Sequence, residues 1–168
     1  PLTRSHPNFA DALRTGRVFK YSIDIFQNIA LMVYHIYGWC DGDHRPACLA
    51  RTNALVQAVL DEIASSPPHL FLILGDFNCT LAHLSSPVHP LKNSAIGDIG
   101  AHCGQWGTPS LSPTCSQRNC KPSRIDYVLA SSSILPLIKG FEVFEHAYIS
   151  PRSMLLRLMS GQLLIRAQ

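Results

Sequence analysis

The sequence predicts an α+β domain. Strand-type segments recur at residues 17–25, 29–37, 70–74 and 124–131, one amphipathic helix lies between the second and third, and strict βαβ alternation is missing. The 168 residues fit a single domain spanning 1–168, with an apolar share of 46% to build its core. Charged residues make up only 15% and the formal charge is +3, which argues against disorder and tolerates a polyanionic partner without announcing one. No apolar run approaches the roughly 20 residues that cross a bilayer. No basic-then-apolar leader is visible either. The chain is therefore expected to be intracellular, with a nuclear location open. It begins with Pro1, so the expectation is a processed chain or a piece of something longer.

Residues 1–16 read as irregular, with Gly16 marking a turn. In 17–25, Phe19, Tyr21, Ile23 and Ile25 alternate with Lys20, Ser22 and Asp24, the pattern of a half-buried strand. Residues 29–37 are nearly all apolar, so this strand should be central, and its short link to the first makes the two antiparallel neighbours. Leu55, Val56, Val59, Leu60 and Ile63 share one helical face within 50–68, with Thr52 or Asn53 as cap and Pro67–Pro68 as the stop. Residues 70–74 form a buried strand running into Gly75, which would let the chain turn sharply, and then Asp76, Phe77 and Asn78. Residues 79–122 read as a long loop with short helical pieces, of the kind that is functional or mobile. A strand at 124–131, a short helix or turn, a strand at 141–144 and a tail of one or two strands or a short helix complete the chain.

Six cysteines occur without a CxxC pair, so no zinc is expected, although His102, Cys103, Cys115 and Cys120 cluster loosely in sequence. Reduced thiols are the default.

Three short motifs carry chemistry. After the buried strand, Asp76 and Asn78 stand one residue apart, which would present a carboxylate and a carboxamide together at a strand end. A carboxylate there can bind a hard cation or take a proton from water. The plainer alternative is an Asx turn. Asp126 lies between Ile125 and Tyr127 in an apolar strand, where a carboxylate must be paired. It is either salt-bridged to a residue such as Arg124 or the orienting partner of a histidine. Tyr37 ends an apolar strand just before Gly38 and is either a core aromatic or a phosphate contact.

Taken in order, a strand ending in Tyr37–Gly38, an amphipathic helix, a strand ending in GDFN, a long loop and then SRIDYVLAS resemble the endonuclease/exonuclease/phosphatase family. The resemblance covers roughly residues 17–150. The PTC stretch at 113–115 and the RTNALVQAVL helix look most like the retrotransposon-type, apurinic-endonuclease-like members. The resemblance implies a four-layer α/β sandwich, two packed sheets flanked by helices, incomplete here at the N-terminus. It implies phosphoester hydrolysis with Mg²⁺ or Mn²⁺, and DNA as the substrate. Asp76 would position the attacking water and touch the metal, Asn78 would bind the scissile phosphate, Tyr37 would contact it, and Asp126 would orient the catalytic histidine. Such a domain would belong to a longer polyprotein with reverse transcriptase.

The chain departs from the family pattern in two places. No Gln-Glu strand end precedes Tyr37, so the principal metal-binding Glu has no counterpart. The closing Ser-Asp-His is matched by Ser150, Pro151 and Arg152, and arginine cannot shuttle protons although it can contact a phosphate. His146 lies four residues too early. A weakly active or inactive DNA endonuclease is therefore the expectation. The alternatives are a non-catalytic nucleic-acid- or protein-binding relic and a phosphatase acting on a small phosphoester.

Overall fold

The computed structural model describes residues 5–26, 29–102, 113–115, 122–144, 153–158 and 161–166. The chain runs α1 (Pro7–Arg14), β1 (Val18–Phe26), β2 (Ile29–Tyr37), α2 (Pro46–Ser65), β3 (Leu70–Asp76), α3 (Val88–Lys92), β4 (Ile96–Asp98), α4 (Ile99–His102), β5 (Asp126–Ser131), β6 (Ile138–Phe144), β7 (Ser153–Leu158) and β8 (Gly161–Arg166). Five strands form one sheet in the order β1-β2-β3-β5-β4, and β6-β7-β8 form a second sheet of three. β1 and β2 are an antiparallel pair, as their short link requires. β2 and β3 are parallel, joined by a crossover through α2, while β3–β5 and β4–β5 are antiparallel.

Two-residue alternation sorts the sheet's side chains into two cores. Tyr34, Ile36, Phe71, Ile73, Tyr127 and Leu129 face α1 and α2, meeting Phe9, Leu55, Val56 and Val59. Leu31, Val33, Leu72, Leu74, Val128 and Ala130 face the other way and meet Ile138 and Phe141 of β6. Each fully buried aliphatic side chain contributes about 1.5 to 3 kcal/mol, so a sheet covered on both faces is the main source of stability. The mixed α/β architecture with two sheets and covering helices matches the expected fold class.

Several local readings are corrected. Residues 7–14 are helical, not irregular: Pro7 suits the first turn, and Phe9 and Ala12 bury one stripe against α2. α2 begins at Pro46, so Thr52 and Asn53 are interior rather than caps. Thr52 Oγ1 accepts from Trp39 N–H at 3.0 Å, and Asn53 Oδ1 accepts from the amides of Ser85 and Ser86 at 2.9 Å each. In β1, Phe19 and Tyr21 are 52% and 46% exposed, while Lys20 points toward the helices and its Nζ meets buried Glu62 Oε1 at 2.5 Å. The supposedly polar side of β1 is the one α1 and α2 cover, and the second core reaches only Ile23 and Ile25. The long 79–122 segment contains the short strand β4, which pairs with β5. Both tail segments within the described residues are strands. No helix among the described residues is long and apolar enough to cross a membrane.

Candidate active site at the sheet edge

Three strands end together at one edge of the larger sheet. Tyr37 is the register partner of Asp76 across the parallel β2–β3 pair, and Asp76 is the partner of Asp126 across the antiparallel β3–β5 pair. The row arises because β2 and β3 finish there while β5, running oppositely, begins there. β5 starts at Asp126, not at 124, so this aspartate stands at a strand terminus rather than inside it. By alternation, Tyr37, Asp76 and Asp126 continue the face that carries Val33, Leu74 and Val128.

Gly75 does not turn the chain. It lies within β3 at φ +138°, and a Cβ there would stand 1.9 Å from Ile36 O. Only glycine lets β3 approach β2 this closely at the site. Beyond Asp76, Gly38 N–H donates to Asp76 O at 2.7 Å and Phe77 N–H to Ile125 O at 2.8 Å. The second bond marks Asp76–Asp126 as a non-hydrogen-bonded antiparallel pair, the kind whose side chains approach more closely.

Asp76 Oδ1 accepts from Asn78 N–H at 2.8 Å, an Asx turn that places Asn78 in the left-handed region at φ 52°. Asn78 Nδ2 donates to Gly38 O at 3.1 Å, so the carboxamide ties the loop after β3 to the loop after β2. Phe77 is fully buried between them, edge-on to Tyr127 with ring centroids 5.4 Å apart. Burial, followed by the Asp126 charge, pushes the Asp76 carboxyl up to about 6, against the lowering effect of the bonds from Asn78. The Tyr37 hydroxyl is also pushed up, by Cys40, burial and the Asp76 charge against the opposing pull of Arg17, so it remains a proton-bearing donor at neutral pH.

Arg124 does not serve Asp126 in a simple ion pair. It makes a bidentate pair with Asp98, Nη1–Oδ2 2.8 Å and Nη2–Oδ1 2.6 Å, and its guanidinium lies 4.5 Å over the Tyr127 ring. The start of β5 is pinned instead by Thr114, whose Oγ1 accepts from the amides of both Ile125 and Asp126 at 3.0 Å. Thr114 belongs to the PTC stretch, whose residue types alone did not reveal this contact. A further group missed in the sequence is Asp43, which accepts from Thr80 N–H at 2.8 Å and from the His83 ring at Nδ1 at 2.7 Å. Burial raises its carboxyl, but the donors from Thr80 and His83 outweigh this and leave it below the ordinary carboxylate range. Sequence separations of 37 and 40 residues hide both contacts from any local pattern.

Arg152, His146, Ser150 and Pro151 lie outside the described residues, as do Cys103 and Cys120. Among the described residues, no group of three or more His, Cys, Asp or Glu is placed to hold a metal ion. Magnesium, however, needs only one or two carboxylates with water and substrate oxygens for the rest. Asp76, whose carboxyl is pushed up to about 6 by burial and by the Asp126 charge, is one carboxylate of the kind such a site uses.

The chain is similar in structure to several solved proteins. A 3'-5' exonuclease from Neisseria meningitidis matches with TM-score 0.58 at 15% identity, covering 84% of this chain and 64% of that one. A second structure of the same Neisseria protein, described as a 3' phosphatase bound to a product DNA hairpin, matches with TM-score 0.57 at 15% identity, covering 90% and 65%. The Xenopus laevis APE2 catalytic domain matches with TM-score 0.54 at 16% identity, covering 95% and 61%. The chain thus spans less than two thirds of the length of these structures. No curated protein matches by sequence. The model of the endonuclease/exonuclease/phosphatase family matches residues 3–144, most of the chain, and the chain belongs to that family.

Proposed function

We propose that this chain is a metal-dependent phosphodiester hydrolase domain, a DNA endonuclease of the retroelement kind, with weak turnover in this form. The observation that carries the reading is the row Tyr37–Asp76–Asp126 at one sheet edge. Asp76, whose carboxyl is pushed up to about 6 in the absence of a cation, is ionised at neutral pH and able to accept a proton from an attacking water. Asn78 acts as a positioning residue, since its amide holds Asp76 Oδ1 and its carboxamide braces the loop at Gly38. The protonated Tyr37 hydroxyl, at a 36% exposed residue, donates to a phosphate oxygen. Asp126, 7% exposed, keeps the Asp76 carboxyl basic through its charge. Mg²⁺ or Mn²⁺ would be held by Asp76 with Asp126 beside it, and when bound supplies charge neutralisation on the phosphate oxygens. One structurally similar protein is described in two structures, as a 3'-5' exonuclease and as a 3' phosphatase holding a DNA hairpin, which supports a nucleic-acid phosphoester as the substrate class.

The test offers supercoiled plasmid and a small phosphomonoester side by side with Mg²⁺ or Mn²⁺. The reading expects open-circle product that disappears on chelation and in Asp76→Asn, with no phosphate released from the monoester. Phosphate release without nicking would replace the endonuclease by a phosphatase. No metal-dependent product from either substrate would leave a binding relic.

A further inference from the structure

Tyr37 is the start of a second arrangement, made of arginines held by aromatic rings. The Arg17 guanidinium lies 5.0 Å over the Tyr37 ring and 4.6 Å over the Trp39 ring, and its Nη1 donates to Gly38 O at 2.9 Å. Arg51, exposed on α2, reaches the same Trp39 ring at 5.9 Å. Arg14, Arg45 and Arg124 are paired with Asp11, Asp41 and Asp98, but among the described residues no carboxylate pairs with Arg17 or Arg51. An arginine fixed by a ring face keeps N–H donors in the plane of its guanidinium, and that edge is the one a phosphate takes bidentately. Trp39 also walls a cleft of about 420 Å³ between α1 and α2, lined by Asn8, Thr15 and Gln57, of which Asn8 and Gln57 each donate one N–H to Asp61 and Thr15 donates to Ala12 O. Asp11 lines it too, with its carboxylate taken by Arg14.

We propose that Arg17 and Arg51, held on Trp39, bind backbone phosphates of a polynucleotide strand beyond the phosphate at Tyr37 and Asp76. The inference rests on the phosphodiesterase reading and deepens it: the substrate is a polynucleotide, because a phosphomonoester has no second phosphate to reach Arg51. The track leaves the sheet edge at Tyr37, crosses Trp39 and runs toward the α1–α2 cleft. The net charge of +3 favours such a strand, and the unpaired guanidiniums concentrate that charge beside the site.

The experiment measures fluorescence anisotropy of labelled single-stranded DNA and RNA oligonucleotides in EDTA, where no turnover occurs, over a range of salt. Arg51→Gln and Arg17→Gln should each weaken binding about tenfold and reduce the slope of log affinity against log salt by about one. Arg51→Lys should keep the slope, and inorganic phosphate should displace the strand no better than chloride at equal ionic strength. Arg51 is exposed, so its variant is the one that leaves the fold in place, and an unchanged thermal midpoint confirms that. Affinity indifferent to Arg51→Gln, or no binding of either strand, overturns the proposal. Arg51-dependent binding in a chain that never cleaves would sink the hydrolase reading and uphold the track. Cleavage with Arg51-independent binding would do the reverse.

Discussion

Asp76 and Asp126 face each other across β3 and β5 as register partners at the edge where β2 also ends. Two carboxylates this close, one of them 7% exposed, disfavour joint ionisation, and the Asp76 carboxyl is pushed up to about 6 by burial and by Asp126. The raised Asp76 carboxyl is a local cost to the fold.

That cost has a measurable pH signature. The folded pKa of Asp76 lies above its ordinary value of 3.8, so the native state holds a proton that the unfolded chain has released. Stability is therefore reduced as pH rises from about 4 to about 6 and stays reduced above that. Asp76→Asn should stabilise the protein by about 2 kcal/mol at pH 7.5, after discounting for partial exposure, and by almost nothing at pH 4. Urea unfolding of both proteins at the two pH values checks this. A variant gain equal at both would remove the linkage.

A second expectation concerns the backbone beneath the site. A Cβ at Gly75 would stand 1.9 Å from Ile36 O at φ +138°, and one at Gly38 would stand 2.1 Å from Phe77 O. In both cases the obstacle is backbone, which cannot swing aside as a side chain could. Gly75→Ala and Gly38→Ala should each cost about 3 kcal/mol or more. Denaturant midpoints read the loss, and a cost near that of an exposed helical Ala-for-Gly exchange would contradict the packing.

Thr114 gives a third. Its hydroxyl oxygen accepts from the amides of Ile125 and Asp126 where β5 begins. Thr114→Val keeps the shape, removes the acceptor and should cost about 2 kcal/mol. Hydrogen exchange at Ile125 and Asp126 should speed up selectively. Unchanged protection there would show that Thr114 does not hold the strand's first residues.

The paired Arg124 and Asp98 give a fourth. Each side chain is only 13% to 14% exposed, so removing one partner leaves a charge with little water. Arg124→Gln should cost about 3 kcal/mol or more. Arg124→Gln combined with Asp98→Asn should recover part of that loss, because the stranded charge is gone. A double variant no better than the single would deny the coupling.

The sequence carried the strands well where burial dictates pattern. The unbroken apolar run at 29–37 and the run at 70–74 are covered on both faces, by α1 and α2 on one side and by β6 on the other, so their lack of polar positions is itself the signal. The positions of Tyr37 and Asp76 at strand ends follow from those runs, whereas Asp126, expected inside a strand, begins one. What failed was local. Helix α1 is only eight residues and its stripe reduces to Phe9 and Ala12, too little periodicity to stand out. The alternation of β1 points to the wrong side, because Lys20 finds a buried partner in Glu62 from 42 residues away. The Arg124–Asp98 pair, the Thr114 brace and the Asp43–His83 pair all join residues that only the folded topology brings together. The register that seats Asp76 opposite Asp126 is likewise a property of the β3–β5 pairing, and no motif in either strand states it.

The central claim is that Asp76 works on a phosphodiester at this edge. The measurement is the rate of supercoiled-plasmid nicking with Mg²⁺ by this chain and by Asp76→Asn, from pH 5 to 8. The expected result is a slow but metal-dependent rate that rises about tenfold per pH unit as Asp76 ionises. The rate should level off at or below pH about 6, because a bound cation lowers the carboxyl from its cation-free value. Asp76→Asn should be at least about 100-fold slower and flat with pH. Nicking that survives Asp76→Asn, or that proceeds equally in EDTA, would contradict the claim.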